Sequence, residues 1–500
     1  MLWLVCLAGA PARIGAQPAT SAVVEDGWKV AAPEEVGIDS APLAEMIDFA
    51  REREIPVHSV QIVRRGQLVL DAYFHPYRAG MRHDIASVTK SVTSTLIGLA
   101  IEKRHLRDVQ QAVTSFFPAR SIAALDARKR ALTLEHLLTM QAGWDCGFEP
   151  KEARLFEMRR SPDWPQFMLD LPMIAEPGTR WAYCSGNCHL LSAIVTQTTA
   201  TNALAFARRE LFGPLGIEDV VWPADGHGNN HGWGDLQLHP RDMAKLGQLF
   251  LQRGRWGNRQ VISEGWIQQA TRAHVERTSN NDHYGYFWWV KGKDYPGMFE
   301  AVGRGGQRIN VWPAKDLVLV FTGGGFEPGD LAKFILKALK SDEPLPANSV
   351  AAAHLREKVA AAARRPEPGK IAETPAMARR ISGKNYALSS NGLDLSALSL
   401  RFTETAEAAV RLTRLGQHMD CPVGLDGVER SSTNTLADLP FASKGRWLTG
   451  DTFHLQLDRV GGINCYEFTI RFALSGDAVS ISLKERTGLN NEAFTGTSLP

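Results

Sequence analysis

Strand-like runs stand at both ends of a helix-rich stretch, and this order most narrows the folds open to the chain. Two β-rich runs within 59–76 flank Arg65-Gly66, a pair typical of a hairpin turn. Strands return within 284–322, before a last helix at 330–340. The apolar runs of helical type between them are 87–103, 132–144, 189–197 and 240–254. We therefore expect an α+β domain, a mixed sheet with flanking helices and a helical subdomain.

The chain changes character after residue 343. Residues 344–378 are rich in proline and alanine, which predicts a linker with at most one helix. From residue 379 the pattern is one of short alternating runs, such as 398–402 and 466–472, separated by Gly, Asn and Asp. This pattern predicts a small all-β domain over 379–500, a sandwich or a barrel. The first domain then covers 22–343.

The N-terminus is apolar but too short to span a bilayer. Residues 1–17 are similar to a secretory signal peptide, although the usual positive charges are missing, and a frayed tail is the alternative. We therefore expect a secreted or periplasmic protein. No later run reaches transmembrane length, so we expect no stable membrane insertion. A net charge of +2 gives no reason to expect a nucleic acid partner. Oligomeric state is open.

Six cysteines occur, and export would permit disulfides among them. Cys6 would leave with the signal peptide. A bridge between Cys421 and Cys465 is the first expectation, because both lie in the C-terminal domain. Cys146 with Cys184 or Cys188 is the second. No metal is expected, since Cys184 and Cys188 have no second close pair and the His227–His231 segment is a glycine-rich loop.

The run Ser87-Val-Thr-Lys90 opens the most apolar helical segment of the chain. Residues three apart share a helix face, so the Lys90 ammonium can reach the Ser87 hydroxyl. A serine is a weak nucleophile until a base takes its proton, and a buried lysine can be that base if its pKa is lowered. A capped helix start explains the same four residues equally well. The pattern occurs once in the chain, which favours a nucleophile and its base.

Two further elements fit a hydrolytic site. Tyr183-Cys184-Ser185 follows a turn and precedes a helix, and a phenol near a lysine can shuttle a proton. A packed loop tyrosine is the alternative. The glycine-rich run from Val302 to Gln307 enters a strand, where backbone N–H groups of Gly305 or Gly306, with that of Ser87, can bind an oxyanion. A β-bulge is the commoner cause of such glycines.

The order Ser-x-x-Lys, Tyr-x-Ser and glycine-rich strand resembles the penicillin-recognising serine hydrolases, which include class C β-lactamases, DD-peptidases, esterases and 6-aminohexanoate-dimer hydrolases. The segments from Leu132, Glu176, Phe212 and Leu238 extend the resemblance over about residues 28–340. It implies a β-lactamase/transpeptidase-like fold, Ser87 as nucleophile, Lys90 as base and Tyr183 as proton shuttle. It implies no cofactor.

Two departures bear on the substrate. Ser185 stands where the family often has Asn, so its predicted contact with the substrate amide is shortened. No Lys-[Ser/Thr]-Gly occurs in the chain. In β-lactamases that lysine helps to bind the substrate carboxylate; here Arg304 is the candidate for the charge. We therefore predict a serine hydrolase for a small ester or amide. The alternatives are a β-lactamase or DD-peptidase, and a catalytically silent binding protein on the same fold.

Overall fold

The computed structural model describes residues 26–147, 152–276, 282–403, 405–436 and 439–499. The predicted signal peptide and Cys6 lie outside them. The helices are α1 (Ser40–Glu52), α2 (Val88–Glu102), α3 (Ala127–Ala131), α4 (Leu134–Leu138), α5 (Ala153–Arg160), α6 (Trp164–Asp170), α7 (Ser185–Thr199), α8 (Ala203–Ala207), α9 (Pro240–Leu251), α10 (Glu264–Thr271), α11 (Gly329–Ala338), α12 (Ser349–Ala363) and α13 (Ala376–Ile381).

The sheet of the first domain joins strands from both ends of the domain, as predicted. Its strands are β1 (Lys29–Val30), β2 (Val57–Arg64), β3 (Gln67–Tyr73), β8 (Val275–Glu276), β9 (His283–Tyr284), β10 (Trp289–Val290), β11 (Phe299–Gly303), β12 (Gln307–Trp312) and β13 (Leu317–Gly323). Their order is β1-β3-β2-β13-β12-β11-β10-β9-β8. Among these strands the β1–β3 pair is parallel and the other pairs are antiparallel. Two small ribbons pair β4 (His83–Asp84) with β5 (Gln237–Leu238), and β6 (Arg255–Trp256) with β7 (Arg259–Gln260).

Strand β13 shows how the sheet separates two apolar layers. Val318 and Val320 join the core that contains α2 and α9, whereas Leu319 and Phe321 join the core under α1 and α11. Successive side chains of a strand point to opposite faces, so this unbroken apolar run is buried on both sides. The helical subdomain from α3 to α8 extends the first of these cores and packs α7 against α2.

The C-terminal domain is a β-barrel. Its strands are β14 (Asn385–Leu388), β15 (Leu395–Phe402), β16 (Glu407–Arg414), β17 (Gln417–Gly424), β18 (Arg430–Leu436), β19 (Leu439–Trp447), β20 (Thr452–Arg459), β21 (Cys465–Phe472), β22 (Ala478–Glu485) and β23 (Asn491–Ser498). Consecutive strands pair antiparallel from β14 to β17 and from β18 to β23, β14 pairs with β23, and a contact between β17 and β19 closes the ring. Alternate residues such as Phe453, Leu455 and Leu457 fill the interior, and α13 adds Met377 and Ile381.

Several local predictions were wrong at their boundaries. The helix expected over 132–144 ends at Leu138, because the backbone turns at Met140 (φ 60°) and approaches Ala175 closely at Gly143. The strand expected from Tyr284 is two short strands with a turn at Phe287 (φ 61°). The segment 344–378 holds α12, which packs on α1, and the start of α13. No helix of the described residues is long and apolar enough to cross a bilayer.

The first expectation for the disulfides was wrong. Cys421 and Cys465 are separate buried thiols, because they lie on β17 and β21, which are not neighbouring strands of the barrel. The second expectation is confirmed in one of its two forms: Cys146 is bonded to Cys184, and Cys188 is a buried thiol.

Candidate active site

Ser87 stands at the N-terminus of α2, on a tightly held turn. The residue before it, Ala86, has a φ of 48°, a left-handed conformation that costs a residue with a Cβ about 1–3 kcal/mol. The carboxylate of Asp84 accepts a hydrogen bond from the Ala86 N–H (2.8 Å), which holds this turn in place. Gly303 lies so close that an added Cβ would come within 2.7 Å of the Ile85 oxygen. The end of β11 and the start of α2 therefore meet at Ser87.

Lys90 is buried one helical turn after Ser87. Its side chain lies inside the apolar α2–α7 packing, with 1% of its surface exposed. The ammonium donates to the Ser87 Oγ at 2.7 Å and to the Trp233 carbonyl at 3.0 Å. It also hydrogen-bonds the Tyr183 side chain, and Nζ lies 4.8 Å from the centre of the Tyr183 ring. The structure thus brings together the three residues that the sequence analysis placed in catalytic roles.

Tyr183 is fixed by the elements on either side of it. Helix α7 begins two residues later, and Cys184 is bonded to Cys146, so a 38-residue loop of chain is closed beside the tyrosine. The ring faces Trp289 at 6.5 Å and Trp181 at 6.3 Å between centres. Its hydroxyl hydrogen-bonds both Ser87 and Lys90. One phenol therefore touches the nucleophile and its basic partner together.

Lys90 and Tyr183 both have a pKa above its ordinary value. Burial lowers the pKa of Lys90, but its interactions with Tyr183, Cys188 and the Glu152 carboxylate raise it by more, so the pKa lies above its ordinary value. Burial raises the pKa of Tyr183, and this outweighs the lowering by the Lys90 charge. The resting site therefore holds an ammonium and a neutral phenol near neutral pH.

The glycine run forms a turn between β11 and β12 at the edge of the same cleft. Gly305 has a φ of 83° and Gly306 a φ of 101°, conformations that favour glycine. The Gln307 side chain caps this turn by donating to the Arg304 carbonyl at 3.1 Å. The guanidinium of Arg304 points to the barrel, where Thr487 and Asn464 accept hydrogen bonds from it. Substrate contacts of these residues stay predictions.

Glu152 is a residue of the site that sequence reasoning missed. It precedes α5, lines the cleft with Ser87 and Tyr183, and accepts hydrogen bonds from the N–H (2.7 Å) and Oγ (3.1 Å) of Ser185. Ser185 is the first residue of α7, so the carboxylate stabilises an otherwise unpaired N–H at the positive end of that helix. Ser185 itself is buried, and its predicted contact with a substrate stays a prediction. No pattern in the sequence marks Glu152.

The cleft above Ser87 has a volume of about 910 Å³. Trp181, Tyr183 and Trp289 form an aromatic wall, and Arg486 and Thr487 of the barrel stand at another side. The contribution of the barrel was also missed, because the sequence assigned it to a separate domain. Among the residues the structure describes, no group of three His, Cys, Asp or Glu side chains is arranged to hold a metal ion.

The chain is similar to several known proteins. The profile of the family named Beta-lactamase matches residues 41–340. The 6-aminohexanoate-dimer hydrolase of Paenarthrobacter ureafaciens is 25% identical over an alignment of 335 residues, which covers 62% of this chain and 83% of that protein.

The chain is also similar to two solved structures. EstCE1, described as a hydrolase with promiscuous acyltransferase activity, has a TM-score of 0.51 at 16% identity, over 60% of this chain and 99% of its own. The octameric penicillin-binding protein homologue from Pyrococcus abyssi has a TM-score of 0.49 at 16% identity, over 91% of this chain and 99% of its own. With the family profile matched over most of the first domain, the chain belongs to the Beta-lactamase family.

Proposed function

We propose that the protein is a serine hydrolase that cleaves a small linear ester or amide through an acyl-enzyme on Ser87. The observation that carries the proposal is the 2.7 Å hydrogen bond from the Lys90 ammonium to the Ser87 Oγ. The Tyr183 hydroxyl is hydrogen-bonded to both residues. A nucleophile within hydrogen-bond reach of a base, itself oriented by a third group, is the arrangement that covalent catalysis requires.

In the proposed reaction the Ser87 oxygen attacks the substrate carbonyl and loses its proton to the Lys90–Tyr183 pair. Backbone N–H groups of Ser87 and of the Gly305–Gly306 turn stabilise the oxyanion. The pair then protonates the leaving alcohol or amine, and water releases the acyl group by the same steps in reverse. Because both groups hold their protons at rest, the reactive form is the fraction of molecules in which the pair has lost one proton.

The preference for linear substrates follows from the charges near the glycine turn. The chain has no Lys-[Ser/Thr]-Gly, and Arg304 is engaged by the barrel, so a fixed cation for a β-lactam carboxylate is missing from the position where the family uses one. The relative from Paenarthrobacter ureafaciens, named as a 6-aminohexanoate-dimer hydrolase, supports the choice of a small substrate other than a β-lactam.

A substrate panel tests the proposal. We expect kcat/KM for a p-nitrophenyl ester to exceed that for a chromogenic cephalosporin by about tenfold or more, because a charged hydrogen bond contributes ~1.5–3 kcal/mol. The panel should include a linear amide. Faster cephalosporin turnover would favour a β-lactamase. Absence of both turnover and labelling by a fluorophosphonate would favour a binding protein.

The charge of Glu152 should set the pH at which the enzyme becomes active. Its carboxylate raises the pKa of both Lys90 and Tyr183, and activity requires loss of a proton from that pair. In Glu152→Gln both pKa values fall, so the acid limb of the kcat/KM profile should move to lower pH. The glutamine still offers an oxygen to the Ser185 N–H.

Glu157→Gln provides the matched control for this profile. Glu157 lies on α5 and pairs with Arg154 at 2.6 Å, outside the residues that line the cleft. Its profile should match that of the wild type. An acid limb that stays in place in Glu152→Gln, or moves to higher pH, would contradict the assigned role of the Glu152 charge.

A further inference from the structure

We propose that the C-terminal barrel is a working part of the active site, and that Arg304 is the positioning residue that couples the two domains. In this arrangement the barrel loops 460–464 and 486–490 hold the two backbone segments that surround Ser87. The inference rests on the proposed acyl-enzyme function, and it assigns to the barrel a role in the geometry of that reaction.

The first contact reaches the turn that carries the nucleophile. The Gly461 carbonyl, in the loop between β20 and β21, accepts a hydrogen bond from the Asp84 N–H at 2.7 Å. The Asp84 side chain in turn accepts from the Ala86 N–H, next to Ser87. Two successive hydrogen bonds therefore connect the barrel with a backbone conformation that needs external support, because Ala86 has a positive φ.

The second contact reaches the glycine turn. An added Cβ on Gly305 would come within 2.4 Å of the Ile463 side chain, so the barrel loop packs directly on this backbone. The Gly305 carbonyl accepts from the Gly325 N–H at 2.9 Å, and Gly325 in turn lies against the stem of Arg486. The backbone of Gly305 is thus enclosed between barrel residues and the end of β13.

The third contact is an ionic one between the exposed Arg304 and the buried Glu485. Arg304 donates to Thr487 and to the Asn464 Oδ1 (3.2 Å), and its guanidinium lies 3.6 Å from Glu485. The Glu485 side chain is fully buried, and it also accepts from the Thr487 hydroxyl at 2.6 Å. A buried carboxylate that loses its cation is strongly destabilised, so this network keeps Arg304 directed into the barrel.

Through these contacts the barrel supports both backbone segments that would supply N–H groups to the oxyanion. Ser87 follows the turn that Gly461 supports, and Gly305 lies against Ile463. A displacement of about 1 Å in such a site costs roughly 100-fold in rate. The range of substrates affected distinguishes two roles of Arg304. An arginine that binds substrate affects the turnover of charged substrates, whereas a positioning arginine affects the turnover of all substrates.

The test uses the full-length protein and a neutral p-nitrophenyl ester. We expect Arg304→Met to lower kcat by about 10–100-fold while KM changes by less than about threefold. Arg304→Lys should recover much of kcat, because it keeps a cation beside Glu485. Asn464→Ala, on the barrel and outside the residues that line the cleft, should lower kcat in the same direction by a smaller factor. Arg411→Met, an exposed arginine of the barrel paired with Asp420, is the matched control and should retain kcat.

The experiment distinguishes a failure of the positioning role of Arg304 from a failure of the hydrolase function. Wild-type kcat in Arg304→Met, or an effect confined to KM for a carboxylate-bearing ester, would overturn the positioning role. If Arg304→Met fails to fold, by its circular dichroism and melting curve, wild-type kcat in Asn464→Ala would overturn it instead. A wild-type protein that neither turns over any substrate nor labels would contradict the hydrolase function itself, and this inference with it.

Discussion

Replacing Ser87 by alanine should abolish turnover and covalent labelling together. The Ser87 Oγ is the atom that the structure places against both Lys90 and Tyr183. In serine hydrolases, loss of the nucleophile lowers kcat by about 10⁴-fold or more, and the activity that remains comes from oxyanion binding. We expect the ester rate of Ser87→Ala to fall to the residual rate that oxyanion binding alone provides. No fluorophosphonate adduct should appear in the intact mass.

Ser94→Ala is the control for a lost hydroxyl on the same helix. Ser94 is fully buried on α2, and its Oγ has no hydrogen-bond partner among the described residues. This variant should label and turn over as the wild type does. An adduct that persists in Ser87→Ala would mean that another residue is the nucleophile, and peptide mapping of that adduct would identify it.

Replacing Lys90 by methionine should lower kcat by about 10²–10⁴-fold, the usual contribution of a general base. Methionine keeps the unbranched stem in the apolar helix packing and removes only the amine. The Trp233 carbonyl then loses its donor, so we expect a loss of stability of about 1–3 kcal/mol as well. The Lys90 ammonium lowers the pKa of Tyr183, so the acid limb that Tyr183 alone leaves should move to higher pH.

Lys129→Met separates these two effects. Lys129 is also buried, and its ammonium donates to the carbonyls of Ala123 (2.6 Å) and Leu169 (2.8 Å), outside the cleft. Its replacement should reduce stability to a similar extent and leave kcat near the wild-type value. A Lys90→Met enzyme that keeps its rate and the position of its acid limb would show that the base is another group.

Much of the candidate site formed by Ser87, Lys90 and Tyr183 could be predicted, because it depends on residues that lie close together in the sequence. Ser87 and Lys90 lie one helical turn apart, and that geometry follows from the sequence once a helix begins there. The all-β character of the C-terminal domain is equally local, since alternation of apolar residues needs only a single strand to be visible.

The contributions of Glu152 and of the barrel could not be predicted, because they depend on how distant segments dock. Glu152 precedes a helix with no distinctive pattern, and its importance comes from the position of Ser185. The direction of the Arg304 side chain could not be predicted either. Alternation along a strand would assign the side chain to one face of the sheet, but Gly305 and Gly306 form a turn that interrupts the strand. Burial alone would lower the pKa of Lys90, whereas its interactions with Tyr183, Cys188 and Glu152 reverse the shift.

The bond between Cys146 and Cys184 stands directly beside Tyr183, so we expect oxidation of these two thiols to stabilise the segment that holds the tyrosine. All of the catalytic side chains are present in the chain as it leaves the ribosome, but the segment that presents the phenol is covalently secured only after two thiols have been oxidised. Cystines of this kind persist in oxidising compartments and are rare where thiols are kept reduced. The specific activity of a preparation therefore depends on the host and on the folding conditions, and assays of different preparations are comparable only when their thiol content has been counted.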